Sequence, residues 1–137
     1  LAQCYEYFGD HANARAWRAR HIEMGDADEM IYFSMLKLGV AMDKLGEPWA
    51  EVQDVYLRAW ALRPSRAESL EMIAFHYVQA QQPELGYLFA SRAAQIPLPA
   101  TDTVNVFPSV YQGHPDGTCR SRDRGGAAAG GVCDLAG

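Results

Sequence analysis

The sequence predicts an all-α chain: a helix–turn–helix solenoid of about three repeats, with an irregular C-terminal tail. Three observations predict it. One template recurs three times, helix start and stop signals fall between and within the copies, and apolar residues inside the segments keep helical spacing. The template is a large apolar residue, a small one, and a bulky one three positions later. It reads Leu1-Ala2-(x2)-Tyr5-(x3)-Gly9-Asp10-(x3)-Ala14, then Leu38-Gly39-(x2)-Met42-(x3)-Gly46, then Ile73-Ala74-(x2)-Tyr77. The second copy closes with Tyr56, Ala59 and Pro64, and the third continues through Gly86, Ala90 and Ala93. The copies are offset by 37 and 35 residues.

Taken in order, the punctuation predicts helices at about 1–8, 11–24, 27–45, 48–63, 66–81 and 84–96. Gly25 ends the second, and Asp26-Ala27-Asp28-Glu29 offers a capping box with Asp26 as N-cap. Gly46 suits a position just past the third helix, with Pro48 opening the fourth. Pro64 closes that helix, Ser65-(x2)-Glu68 offers a second capping box, and Pro83 falls in the first turn of the sixth helix. The prolines of Ile96-Pro97-Leu98-Pro99 end it, and Thr103-Val104-Asn105-Val106-Phe107 is expected to run extended along the last helix pair.

The spacing within helices also predicts a core. Small residues at Ala2, Gly39 and Ala74 let paired helices approach, and Ala14, Val52 and Gly86 meet them from the second helix of each pair. The core is expected to centre on Tyr5, Trp17, Leu38, Met42, Tyr56, Ala59, Ile73, Ala74, Tyr77 and Ala93. An apolar content of 49% is enough for one domain of this length. The helical region is expected to span 1–112. After it, residues 113–137 hold seven of the twelve glycines beside Arg120, Arg122 and Arg124, a composition that predicts a disordered tail.

Charge and composition exclude several functions. A net charge of −5 with scattered charges argues against nucleic-acid or anionic-membrane binding. No run approaches the roughly 18 apolar residues of a membrane span. Three cysteines without C-x-x-C spacing suit a reducing cytoplasm. The chain opens at Leu1 inside a repeat and reads as a fragment.

Few residues suggest chemistry. Asp26-Ala27-Asp28 is a D-x-D, but carboxylates that hold a metal at sugar-nucleotide phosphates need a strand before them, and a helix precedes these. Capping is the expected role. His11, His21, His76 and His114 make no i, i+4 pair for a helical metal site, and no serine or cysteine sits in a nucleophile motif. Gly125-Gly126 and Gly130-Gly131 lack the Lys-Ser/Thr ending of a phosphate loop. No catalytic residue, metal ligand or cofactor is expected.

The template resembles the tetratricopeptide repeat, whose period is about 34 residues and whose units must stack to bury their apolar faces. The resemblance covers roughly residues 1–98. Its departures are one extra residue in the second turn, Arg18 at the closing aromatic position of the first copy, and Leu98 at the terminal proline of the third. The resemblance implies a concave groove lined by the first helix of each repeat. Its positions are Gln3, Glu6 and Tyr7, then Val40, Asp43 and Lys44, then Glu71, Phe75, Val78 and Gln79. Repeats that clamp a carboxylate terminus use Lys, Arg and Asn there. This chain has Gln3, Val40 and Phe75 at the asparagine position, so an acidic peptide is not the expected partner.

A narrower resemblance rests on Leu45-Gly46-Glu47-Pro48-Trp49 leading to Tyr56-Leu57-Arg58-Ala59-Trp60, on Arg63-Pro64-Ser65-Arg66-Ala67-Glu68, and on Gly86-Tyr87-Leu88-Phe89-Ala90 running to Ile96-Pro97-Leu98-Pro99. These segments resemble the helical-repeat region C-terminal to the catalytic domain of some bacterial, inverting, family-two-type glycosyltransferases. It implies a non-catalytic protein-interaction module, with a protein, a peptide or an adjoining catalytic domain as partner. A free-standing peptide-binding adaptor is the alternative, and a self-contained enzyme is disfavoured. In that lineage Ser109-Val110-Tyr111 leads into a further helix, whereas here Gly113-His114-Pro115 follows, as in a truncated or frame-shifted reading frame.

Overall fold

The computed structural model describes residues 1–103 and 106–111. They form six α-helices and one 3₁₀ turn, with no strand among the described residues. The helices are α1 (Ala2–Tyr7), α2 (His11–Met24), α3 (Asp28–Lys44), α4 (Trp49–Leu62), α5 (Glu68–Gln79) and α6 (Pro83–Ala94), and the 3₁₀ turn is Pro108–Tyr111. Every expected helix is present, with ends within two residues of expectation. The tail from 113 on, and Val104 and Asn105 of the β-rich stretch, lie outside the described residues.

Two compact units divide the chain. One holds α1 to α4, residues 1–64 with 102–103; the other holds α5, α6 and the 3₁₀ turn, residues 65–101 with 106–111. In the first unit α1 packs on α2, α2 on α3 and α3 on α4; in the second α5 packs on α6, and the 3₁₀ turn on α6.

Three of the helices end alike. α1, α3 and α5 all finish in the same Schellman turn, in which two amides past the helix satisfy its last carbonyls. Asp10 N donates to Tyr5 O and Gly9 N to Glu6 O; Glu47 N donates to Met42 O and Gly46 N to Asp43 O; Gln82 N donates to Tyr77 O and Gln81 N to Val78 O. The left-handed residue is Gly9 (φ 74°), Gly46 (φ 74°) and Gln81 (φ 59°). Those three positions carry the same 37- and 35-residue offsets as the sequence template. Glycine is relaxed at such a φ, and Gln81 is not.

The helix starts correct three expectations. α3 begins after Ala27, and neither it nor α5, which begins after Ala67, has a side-chain cap. Asp26 instead accepts the Ala27 amide (2.7 Å) and meets the His21 ring (3.1 Å), and Glu68 is buried in an ionic network. A carboxylate held by a neighbouring side chain cannot also reach back to cap. Asp10 is the side-chain cap that forms: it accepts from Asn13 N at 3.1 Å, and the bonds from the Asn13 side chain and amide hold its pKa below the usual value. Pro48 precedes α4 rather than opening it, while Pro83 is the first residue of α6.

The first unit's core contains Ala14, Tyr32, Phe33, Leu36, Met42, Val52, Tyr56 and Ala59; the second's contains Leu70, Ile73, Ala74, Ala93 and Ile96. Tyr5, Leu38 and Tyr77 are only half-buried. Trp17, expected in the core, is 37% exposed and lies with its ring 5.5 Å from the Arg20 guanidinium. Burial shifts instead to its neighbour Arg18, which the sequence template sets at a closing aromatic position and whose guanidinium carbon sits 5.0 Å from the Phe33 ring centre. The packing position is kept and a stacked cation fills it.

The stretch after Pro99 also departs from expectation. Asp102 and Thr103 belong to the first unit: Asp102 is buried and paired with Arg63, and Thr103 N donates to Glu29 (2.8 Å). Residues 106–111 belong to the second unit.

Candidate functional site

The first helices supply the expected groove residues, and each unit shows part of the set. In the second unit, Glu71, Phe75, Val78 and Gln79 recur at helical spacing along one face of α5, and all four are exposed. Phe75 is 61% exposed, a large fraction for an aromatic in mid-helix. Val78 is 38% exposed yet also seats α6: a β-carbon on Gly86 would come within 2.8 Å of its Cγ2. Partial burial, with the Glu68 charge one turn away, pushes the Glu71 carboxyl above its ordinary value.

In the first unit Gln3 and Tyr7 of α1 and Asp43 and Lys44 of α3 are exposed, and Val40 is half-buried. Tyr7 is 86% exposed and meets Phe8 edge-on. Glu6 is different. It accepts from Arg18 Nε at 2.9 Å and lies 3.7 Å from Lys37 Nζ, so this carboxylate neutralises cations of the first unit.

Three polar arrangements escaped the sequence. Arg66 and Glu68 form an ion pair at 2.9 Å with side chains almost wholly buried. The Tyr111 hydroxyl donates to Glu68 Oε2 (2.7 Å) and accepts from Ala67 N (3.1 Å), and Phe107 N donates to Glu68 Oε1 (3.3 Å). Burial opposes ionisation of Glu68, but the bonds from Arg66 and Tyr111 outweigh it and hold the carboxyl below its ordinary value. Tyr111 is pushed up to about 12, by burial and by its bond to that carboxylate. This network fastens the end of the second unit onto the start of α5.

Arg15 and Glu47 make a two-pronged ion pair that ties α2 to the turn after α3. The third arrangement is a line of Ser34, His21 and Asp26. His21 Nδ1 lies 2.6 Å from Ser34 Oγ, and its Nε2 3.1 Å from Asp26. Serine, histidine and aspartate in series can make a nucleophile. Here Ser34 has no exposed surface, so no carbonyl reaches its Oγ, and the line pins α2 to α3. His21 occupies the place taken by Ala59 and Ala93 in the other copies, a substitution visible only once the register is known.

No group of three or more His, Cys, Asp and Glu side chains converges on a metal-sized site among the described residues. None of the described helices is long and apolar enough to cross a membrane. Comparison of the chain with protein-family models, with curated proteins and with solved structures finds no match.

Proposed function

We propose that this chain is a tetratricopeptide-like, non-catalytic protein-interaction module that forms part of a larger bacterial glycosyltransferase. The exposure of Phe75 carries the interaction reading. An aromatic three-fifths in water, with Val78 on the same face and Glu71 beside it, offers an apolar anchor with an acidic border. Burying such a ring is worth roughly 1.5–3 kcal/mol, which a partner recovers and the isolated chain forgoes. The partner that fits is a segment with apolar anchors and basic flanks, or a surface of an adjoining domain with that chemistry. The common Schellman ends of α1, α3 and α5 support the repeat reading, and the segments 45–49, 56–60, 63–68 and 86–99 support the glycosyltransferase reading.

Selection of a displayed peptide library on the whole chain tests the interaction. Enriched peptides should carry apolar residues flanked by Lys or Arg and should lose binding to Phe75→Ala. Enrichment of acidic peptides, or retention by Phe75→Ala, refutes it. The glycosyltransferase reading has its own test in the DNA upstream of Leu1. An in-frame domain of alternating strands and helices with a strand-borne D-x-D supports it, and a start codon there with no such domain favours the free-standing adaptor.

A further inference from the structure

We propose that the cleft lined by α2, α3 and α4 binds a small zwitterion with an apolar body, one ammonium and one carboxylate on a ring or branched chain. The cleft measures about 190 Å³, and every residue lining it belongs to the first unit. Its apolar surface comes from Ile22 of α2, Met35 and Leu38 of α3 and Val55 of α4, all half-buried. Two exposed residues of opposite charge complete it, Glu23 on α2 and Arg58 on α4.

The cleft opens over positions that are packed in the other unit. Met35 and Leu38 stand 35 residues before Leu70 and Ile73, the offset that relates the endings of α3 and α5. Leu70 and Ile73 are 2% and 0% exposed, whereas Met35 and Leu38 stay partly in water. Protein interiors rarely leave a gap larger than a water molecule, so an apolar group laid on these two residues gains by removing their surface from water. Size limits that group. A cavity of about 150 Å³ takes a benzene ring, and sites for drug-sized molecules begin near roughly 300 Å³, so one ring or one branched chain fits.

The two charges decide what the body carries. Glu23 has no hydrogen bond or ion pair among the described residues. Arg58 meets Asp54 at 4.0 Å, the outer limit of an ion pair, with side chains 64% and 66% exposed. Such a pair contributes little and leaves the guanidinium open to another acceptor. Glu23 and Arg58 do not pair with each other. A lone cation in the cleft would satisfy Glu23 and be repelled by Arg58, and a lone anion would meet the reverse. A zwitterion gives its ammonium to the one and its carboxylate to the other, and both side chains are long enough to turn toward one end of a small ligand. The site is independent of the Phe75 face and of any reading built on that face.

The test uses the whole chain and five probes. Phenylalanine is the zwitterion, phenethylamine carries only the cation, 3-phenylpropionate only the anion, N-acetylphenylalaninamide neither, and glycine lacks the ring. Titration is followed by NMR at the methyl groups of Ile22, Met35, Leu38 and Val55. Phenylalanine should bind about tenfold or more tightly than each of the others. Glu23→Gln should erase its advantage over 3-phenylpropionate, and Arg58→Gln its advantage over phenethylamine. Arg92→Gln, which removes a charge from α6, should leave both advantages intact. Equal or tighter binding of either singly charged probe or of glycine would overturn the proposal, as would the absence of a saturable shift at those methyls. So would a preference unaffected by Glu23→Gln and Arg58→Gln. N-acetylphenylalaninamide binding as well as phenylalanine would overturn it in favour of an apolar side chain from a protein partner.

Discussion

A β-carbon added to Gly39 would lie 2.5 Å from Cε1 of Tyr56, and 2.7 Å from its Cζ. The α3–α4 pair is therefore as close as a glycine permits, and the ring that forbids anything larger is itself buried. Gly39→Ala sets two effects against each other. Alanine favours a helix over glycine by about 1 kcal/mol, while overpacking a rigid ring costs about 1–3 kcal/mol. The contact should win, so thermal or urea unfolding should show destabilisation. Tyr56→Leu in the same chain should make the alanine less harmful. Stabilisation by Gly39→Ala alone would show that the helices stand further apart.

Gln81 takes the left-handed position that glycine holds at residues 9 and 46. Gln81→Gly should relieve backbone strain and stabilise the chain by about 0.5–1 kcal/mol, net of glycine's entropy cost. Gly46→Gln should cost a comparable amount. Chemical denaturation of both variants checks the common helix ending, and a loss of stability in Gln81→Gly would contradict it.

Helix existence was legible because Gly25, Gly46, Pro64 and Pro83 punctuate locally and the template fixes register. Ionic burial was not. Local pattern makes Asp26 and Glu68 capping residues, but their partners are a histidine from the preceding helix and a tyrosine 43 residues downstream. The pattern likewise places Trp17 inside, because periodicity cannot tell which of two adjacent long side chains turns inward, although the template register sets Arg18 at the closing aromatic position. Of the groove set, the residues of α5 are exposed. Glu6 pairs with Arg18, a contact that the groove positions alone do not announce.

The Arg66–Glu68–Tyr111 network predicts acid sensitivity. The folded-state pKa of Glu68 is lowered, so its ionised form stabilises the fold above the ordinary value of about 4.3, and that contribution fades as pH falls through the lower folded value. Wild type should exceed Glu68→Gln in stability at neutral pH, by up to about 3–5 kcal/mol because the variant leaves Arg66 buried without its charge partner. The difference should shrink as the pH drops below about 4.3. A gap independent of pH would mean that Glu68 is not ionised in the fold.

Tyr111→Phe removes one hydroxyl that serves both Glu68 and Ala67 N. It should cost about 1–3 kcal/mol, the penalty for buried polar groups left unpaired. Amide hydrogen exchange at Ala67 and Phe107 should accelerate in the variant, and unchanged exchange would show that the hydroxyl does not hold these segments.

The proposed interaction face of α5 is tested most directly by titrating one library-selected peptide into wild type, Phe75→Ala, Val78→Asp and Lys44→Ala by calorimetry. Loss of the Phe75 anchor should weaken binding about tenfold or more, Val78→Asp should also damage it, and Lys44→Ala should be neutral. Equal affinity for wild type, Phe75→Ala and Val78→Asp would contradict the account and place the binding surface elsewhere.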